Sequence, residues 1–306
     1  MTDITLLDGG MGQELIRRAG GVATPLWATQ SLLDAPESVT AVHTDYADAG
    51  ATVATTNTYA LHRDRLRGGD SNHYAAEGTA LPNMEDQLGA LITTALDAVE
   101  PVRNRCRVAG SIGPIGASYR ADLMPDHDEA VAIYAEVAKL LAPRVDLLLF
   151  ETLPSIAAGR AALAAGRQTN RPVWLCFTVD DRDGHRLRSG EPVAEAATIA
   201  QEADAVLINC SAPEAIPAAL EALATSNRPL GAYANGFTEI TEAFIKGNTT
   251  AKALTARSDL SAQAYADHAM GWLDHGATIL GGCCEVGPAH IAELANRLRA
   301  KGHSLV

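Results

Sequence analysis

Cysteine, basic charge and long apolar runs are all in short supply in this chain of 306 residues. Five cysteines, an odd and sparse number, fit a reducing compartment and read as metal binding or chemistry before they read as a disulfide framework. Lys and Arg total 24 against 37 Asp and Glu, a net charge of -13, which argues against the clustered basic surface that nucleic acid requires. The acidic balance serves solubility and also suits a cationic ligand. No segment approaches the roughly 18 consecutive apolar residues of a membrane span. The opening "MTDITLLDGG" has neither a basic leader nor an apolar signal core, so a cytoplasmic protein with no membrane partner is expected.

What the chain does have is 47% hydrophobic and 20% charged residues in Ala-rich amphipathic stretches, the profile of a globular α/β protein. Eight short apolar runs recur, each ending in polar or glycine residues and each followed by a helical pattern. They are "ITLLDGG" from Ile4, "TVATTNTY" from Thr52, "RVAGSIGP" from Arg107, "VDLLLFET" from Val145, "PVWLCFTV" from Pro172, "DAVLINCS" from Asp204, "PLGAYANG" from Pro229 and "ATILGGCC" from Ala277. Continuous apolar runs mark strands buried on both faces of a parallel sheet, and "DEAVAIYAEVAKLLAP" and "SAQAYADHAMGWLDHG" have helical periodicity. A doubly wound sheet has the same local pattern, but a count of eight β/α units predicts a TIM (β/α)8 barrel, with residues 1–306 as a single domain. Long irregular stretches from Ala60, Asp180 and Thr238 all follow strands, which in a barrel places them over the C-terminal mouth.

Polar residues collect at the C-terminal ends of these strands: Asp8, Asn57, Ser111, Glu151, Asn209, Cys210, Asn235, Cys283 and Cys284. Adjacent cysteines such as Cys283 and Cys284 make a poor disulfide, because a bridge needs converging side chains on separated backbone positions. A barrel brings Cys210, on the sixth strand, close to that pair on the eighth. Three thiolates suit Zn(II) and leave its fourth tetrahedral position open, as a catalytic site requires. Gly281 and Gly282 would let the chain kink so that both neighbouring sulfurs aim at one ion. Cys106 and Cys176, before and within strands, read as small buried hydrophobes.

Taken in order, "LLDGGMGQEL", "TNTY", "GSIGP", "FETLPS", "INCS" and "ILGGCCEVGPAHI" resemble the homocysteine S-methyltransferase family across nearly the whole chain. The resemblance implies a barrel with one catalytic zinc that methylates the sulfur of homocysteine to give methionine. It places the zinc thiolates on Cys210, Cys283 and Cys284 and the homocysteine-binding positions on Asp8, Gly9, Glu151 and Asn209. A zinc ion holds a bound thiol as thiolate at neutral pH, and carboxylates such as Asp8 and Glu151 suit the amino acid's ammonium group. Family members differ in donor. The length resembles the short stand-alone enzymes, which favours S-methylmethionine or S-adenosylmethionine, with betaine or a dimethylsulfonium compound as the alternative. Trp27, Tyr59, Tyr119, Tyr233 and Phe237 are the aromatics available for a cation-binding face. Small-molecule substrates and a monomer or small homo-oligomer are expected. From another class, the cysteines would form a redox-sensing or structural zinc site in a noncatalytic barrel.

Overall fold

Each apolar run becomes one parallel strand. The structure, a computed structural model, describes residues 2–21, 26–67, 83–246 and 253–306. The strands are β1 (Asp3–Leu6), β2 (Val53–Thr55), β3 (Arg107–Ile112), β4 (Leu147–Leu153), β5 (Val173–Phe177), β6 (Ala205–Asn209), β7 (Leu230–Tyr233), β8 (Ala277–Leu280) and β9 (Ser304–Leu305). They pair in the order β2-β3-β4-β5-β6-β7-β8-β1-β9. A parallel bridge between Leu7 and Val53, with the Asp8 amide donating to the Val53 carbonyl, joins β1 to β2 and closes the eight-stranded TIM barrel.

The ninth strand departs from the sequence expectation of eight. β9 pairs in parallel with the start of β1, Asp3 opposite Ser304, at the end of the barrel away from the mouth. Two residues are too few to carry any periodicity, so only the tertiary pairing reveals them.

Strand alternation divides the core into two shells. Leu7, Val53, Ala109, Leu147, Leu149, Trp174, Leu207 and Ile279 fill the barrel interior. Ile4, Leu6, Leu148, Phe150, Val206 and Ile208 point outward into a larger cluster shared with the helices. Both faces of β4 are buried along its whole length, which is why its first four residues, Leu147 to Phe150, read as a continuous apolar run. The same parity decides the site: Glu151 follows Leu147 and Leu149 on the inward face, so burial of the leucines delivers a carboxylate to the mouth.

The two quoted helical segments fold as helices His127–Leu141 and Ala262–Trp272. Each begins at a side-chain cap, with Asp126 accepting from the Glu129 amide and Ser261 from the Ala264 amide. Among the described residues no helix is long and apolar enough to cross a membrane. Of the three long loops, that from Asp180 is described throughout and is tied by bridges Val179–Leu187 and Arg186–Pro192. Residues 68–82 and 247–252 of the other two lie outside the described residues.

Candidate active site at the barrel mouth

The opening of the barrel holds a pocket lined by the three rim cysteines, by Asp8, Gly9, Ser111 and Glu151, and by Trp27, Tyr59, Tyr119, Tyr233 and Phe237. Cys210, Cys283 and Cys284 lie with all three sulfurs within 4.8 Å of one another. The Sγ atoms of Cys210 and Cys284 are 3.8 Å apart. A tetrahedral thiolate site with metal–sulfur bonds of about 2.3 Å has sulfur–sulfur edges of about 3.8 Å, so the cluster fits a thiophilic divalent metal. No fourth Cys, His, Asp or Glu joins the group among the described residues, which leaves a coordination position on the pocket side.

Two left-handed residues make this convergence possible. Cys210 has φ 48°, so the chain turns abruptly at the end of β6, and its amide is held by the Tyr233 carbonyl. Beyond β8, residues Cys283 to Val286 form a turn closed by the Val286 amide on the Cys283 carbonyl, with Glu285 at φ 65°. That turn carries the two adjacent cysteines at its first two positions. Neither Gly281 nor Gly282 adopts a positive φ, and what both positions require is the absence of a side chain. A Cβ on Gly282 would come within 2.1 Å of Val286, and one on Gly281 within 2.6 Å of Leu7. The "DGG" and "GGCC" segments therefore pack backbone to backbone, with the Gly282 amide on the Asp8 carbonyl and the Gly10 amide on the Val286 carbonyl.

Asp8 is gripped by β2: its carboxylate accepts the Thr55 amide at 2.7 Å and the Thr55 hydroxyl at 2.8 Å. Glu151 accepts the Ser111 hydroxyl on one oxygen and the Tyr233 hydroxyl, at 3.2 Å, on the other. Burial pushes both carboxyls up to about 7; the hydrogen bonds oppose the shift, and the Glu151 charge adds to it at Asp8. Among the described residues neither buried carboxyl has a cationic partner, so the pair suits a bound cation. Within the cysteine cluster, hydrogen bonds from Cys283 and Cys284 hold Cys210 well below the usual thiol range, while the other two thiols are pushed up by donating.

Asn209 and Asn235 do not line this pocket. The Asn209 amide instead accepts from the Thr152 amide at 2.8 Å and donates to the Thr152 hydroxyl at 3.0 Å, fixing a left-handed residue with φ 60° directly after Glu151. Asn235 accepts from the Phe237 amide in a tight turn. Cys106 is buried with its thiol on the Ala51 carbonyl, and Cys176 lies wholly inside β5. Six non-glycine residues have positive φ among the described residues: Trp27, Tyr119, Thr152, Cys210, Asn227 and Glu285. All but Asn227 stand in or beside the pocket, where strain is held by surrounding structure. No local sequence signal marks them.

A parallel barrel with polar and thiol groups at its C-terminal mouth defines a TIM-barrel enzyme. The family model for homocysteine S-methyltransferase matches residues 5–298, and the chain belongs to that family, a class of methyltransferases. It is 32% identical to the homocysteine S-methyltransferase of Escherichia coli, over 96% of this chain and 95% of that protein. It is 28% identical to homocysteine S-methyltransferase 3 of Arabidopsis thaliana, over 96% of this chain and 89% of that protein. Among solved structures, the metallated form of the homocysteine methyltransferase MmuM from Escherichia coli superposes with a TM-score of 0.73 at 30% identity, covering 97% of this chain and 96% of that one.

Proposed function

We propose that this chain, residues 1–306 acting as one homocysteine-binding barrel, methylates the sulfur of homocysteine to form methionine. The donor is a small onium compound, S-methylmethionine or S-adenosylmethionine, and the metal is zinc held by Cys210, Cys283 and Cys284. One observation carries this reading: three convergent sulfurs and two buried carboxyls line the same pocket. Zinc at the three thiolates would supply the Lewis acidity that keeps a substrate thiol deprotonated at neutral pH.

The protein's own groups do the rest. Asp8 and Glu151 receive the homocysteine ammonium, with Thr55, Ser111 and Tyr233 fixing their oxygens. Gly9 leaves the backbone bare at the pocket wall, because a Cβ there would lie 2.2 Å from the Val286 carbonyl oxygen. Asn209 acts from behind, holding Thr152 so that the end of β4 keeps its direction. Placed this way, the substrate sulfur uses a lone pair to form the new carbon–sulfur bond while the bond from carbon to the onium atom breaks. The electron pair stays on the donor, which leaves neutral and needs no proton. A neutral donor lacks that advantage, since bringing a thiolate to a cation in a water-poor pocket is electrostatically favourable.

The test is methionine formation by zinc-loaded protein across a donor panel. Turnover is expected with S-methylmethionine or S-adenosylmethionine, and none with free methyltetrahydrofolate. Turnover with betaine or a dimethylsulfonium compound alone would reassign the donor. Absence of homocysteine methylation with every donor would overturn the function and leave a noncatalytic metal barrel.

A further inference from the structure

The Cys210 sulfur has a partner that none of the preceding steps uses. Tyr119, in the loop after β3, donates its hydroxyl to Cys210 Sγ at 3.1 Å. The ring meets Phe244 edge to face with centroids 6.2 Å apart. Tyr119 has φ 67°, a conformation that costs an aromatic residue energy and persists only where neighbours enforce it. So a strained tyrosine is held with its one polar atom on a strained cysteine.

What enforces it is a buried ion pair. The Arg188 guanidinium carbon sits 5.2 Å from the Tyr119 ring centroid. Arg188 donates to Asp181 at 2.7 Å, and the two side chains are 5% and 8% exposed, too little for solvent to screen them. Asp181 also accepts from the Ala212 amide at 2.8 Å and the Ile240 amide at 2.9 Å. One carboxylate thus ties together the loops that follow β5, β6 and β7, and through Arg188 it presses a cation on the tyrosine ring. A cation over a phenol draws electron density from it and makes its O–H a better donor.

We propose that Tyr119 is a positioning residue for the metal thiolate, fixing the Cys210 side chain and withdrawing charge from its sulfur through the O–H···S hydrogen bond, with Arg188 and Asp181 as its brace. This rests on the reading of Cys210, Cys283 and Cys284 as metal ligands. A ligand held by an outer hydrogen bond keeps its direction when metal and substrate exchange, and its lowered electron density sets how strongly it donates to the metal.

Tyr119→Phe tests this, because it removes the hydroxyl while keeping the ring, its contact with Phe244 and the Arg188 stack. Cobalt(II) in place of zinc reports directly on the sulfur. Loss of the hydrogen bond raises the energy of the sulfur lone pairs, so the thiolate-to-cobalt charge-transfer band should move to longer wavelength. Zinc affinity, measured by chelator competition, should fall about 10-fold to 100-fold. The thermal midpoint of the metal-free variant should fall by no more than a few degrees, the cost of one buried hydrogen bond, which separates the effect from general destabilisation. Arg188→Lys, which retains the charge and loses the guanidinium fork, should move the band in the same direction by less. A band and affinity in Tyr119→Phe identical to the parent's would overturn the proposal while leaving the metal site standing. Failure of the parent protein to bind cobalt or zinc would overturn the metal reading, and this proposal with it.

Discussion

The sulfurs of Cys210 and Cys284 stand 3.8 Å apart although 74 residues separate them in the chain. That spacing is nearly twice the length of a disulfide bond and matches two corners of a thiolate tetrahedron. One zinc per chain is therefore the expected stoichiometry, measured by elemental analysis of the purified protein. Cys210→Ala should lose the metal and with it turnover, whereas Cys106→Ala, whose thiol faces the Ala51 carbonyl, should keep both. Full occupancy in the Cys210 variant would disprove the ligand assignment.

Homocysteine affinity should depend on pH through Asp8 and Glu151, both pushed up to about 7 in the free site. Below that pH each carboxyl is protonated and cannot pair with an ammonium, so binding weakens by about ten-fold per unit for each carboxyl that must ionise. Calorimetry on zinc-loaded protein between pH 5 and 8, in buffers of different ionisation enthalpy, should show protons released on binding. Glu151→Gln should remove one of these protons from the slope; an unchanged slope would take Glu151 out of the ammonium site.

The same shift has the opposite consequence for stability. A carboxyl whose folded value is raised contributes stability that is complete below its unfolded value, near 4, and is lost as pH rises toward 7. At pH 8 the folded protein carries a buried charge that the unfolded chain keeps in water. Glu151→Gln should thus raise the unfolding free energy of the substrate-free protein at pH 8 by on the order of 2 kcal/mol, a gain that disappears near pH 4. Homocysteine binding by the same variant should weaken about ten-fold to a hundred-fold. Denaturant melts at the two pH values provide the check, and a loss of stability at pH 8 would contradict the burial argument.

Asn209→Ala should act on the scaffold. The buried Thr152 amide would lose its acceptor, at a cost of about 1 to 3 kcal/mol in stability. Urea titration measures this directly. A variant as stable as the parent would mean that Thr152 keeps its conformation without the amide.

The sequence by itself determined the architecture and which strand ends meet at the mouth. Apolar runs bounded by turns, repeated eight times with helical patterns between them, leave few alternatives to a parallel barrel, because strands buried on both faces need helices outside and a packed interior. Glu151 was legible for the same reason: period-two alternation in "VDLLLFET" fixes which side it occupies. The cysteine trio was legible because three of five thiols fall at strand ends that a barrel brings together. The tertiary structure decided what happens just beyond those ends. There the direction of a side chain depends on a single backbone residue and on partners far along the chain. A left-handed Cys210, a turn at Glu285 and the Thr55 grip on Asp8 aim some rim residues into the pocket. Asn209 and Asn235, which also fall at strand ends, are turned to Thr152 and to backbone instead. Strand parity is a local property and can be read along the chain, whereas the settings of the turns arise from contacts between segments that meet only once the barrel has closed.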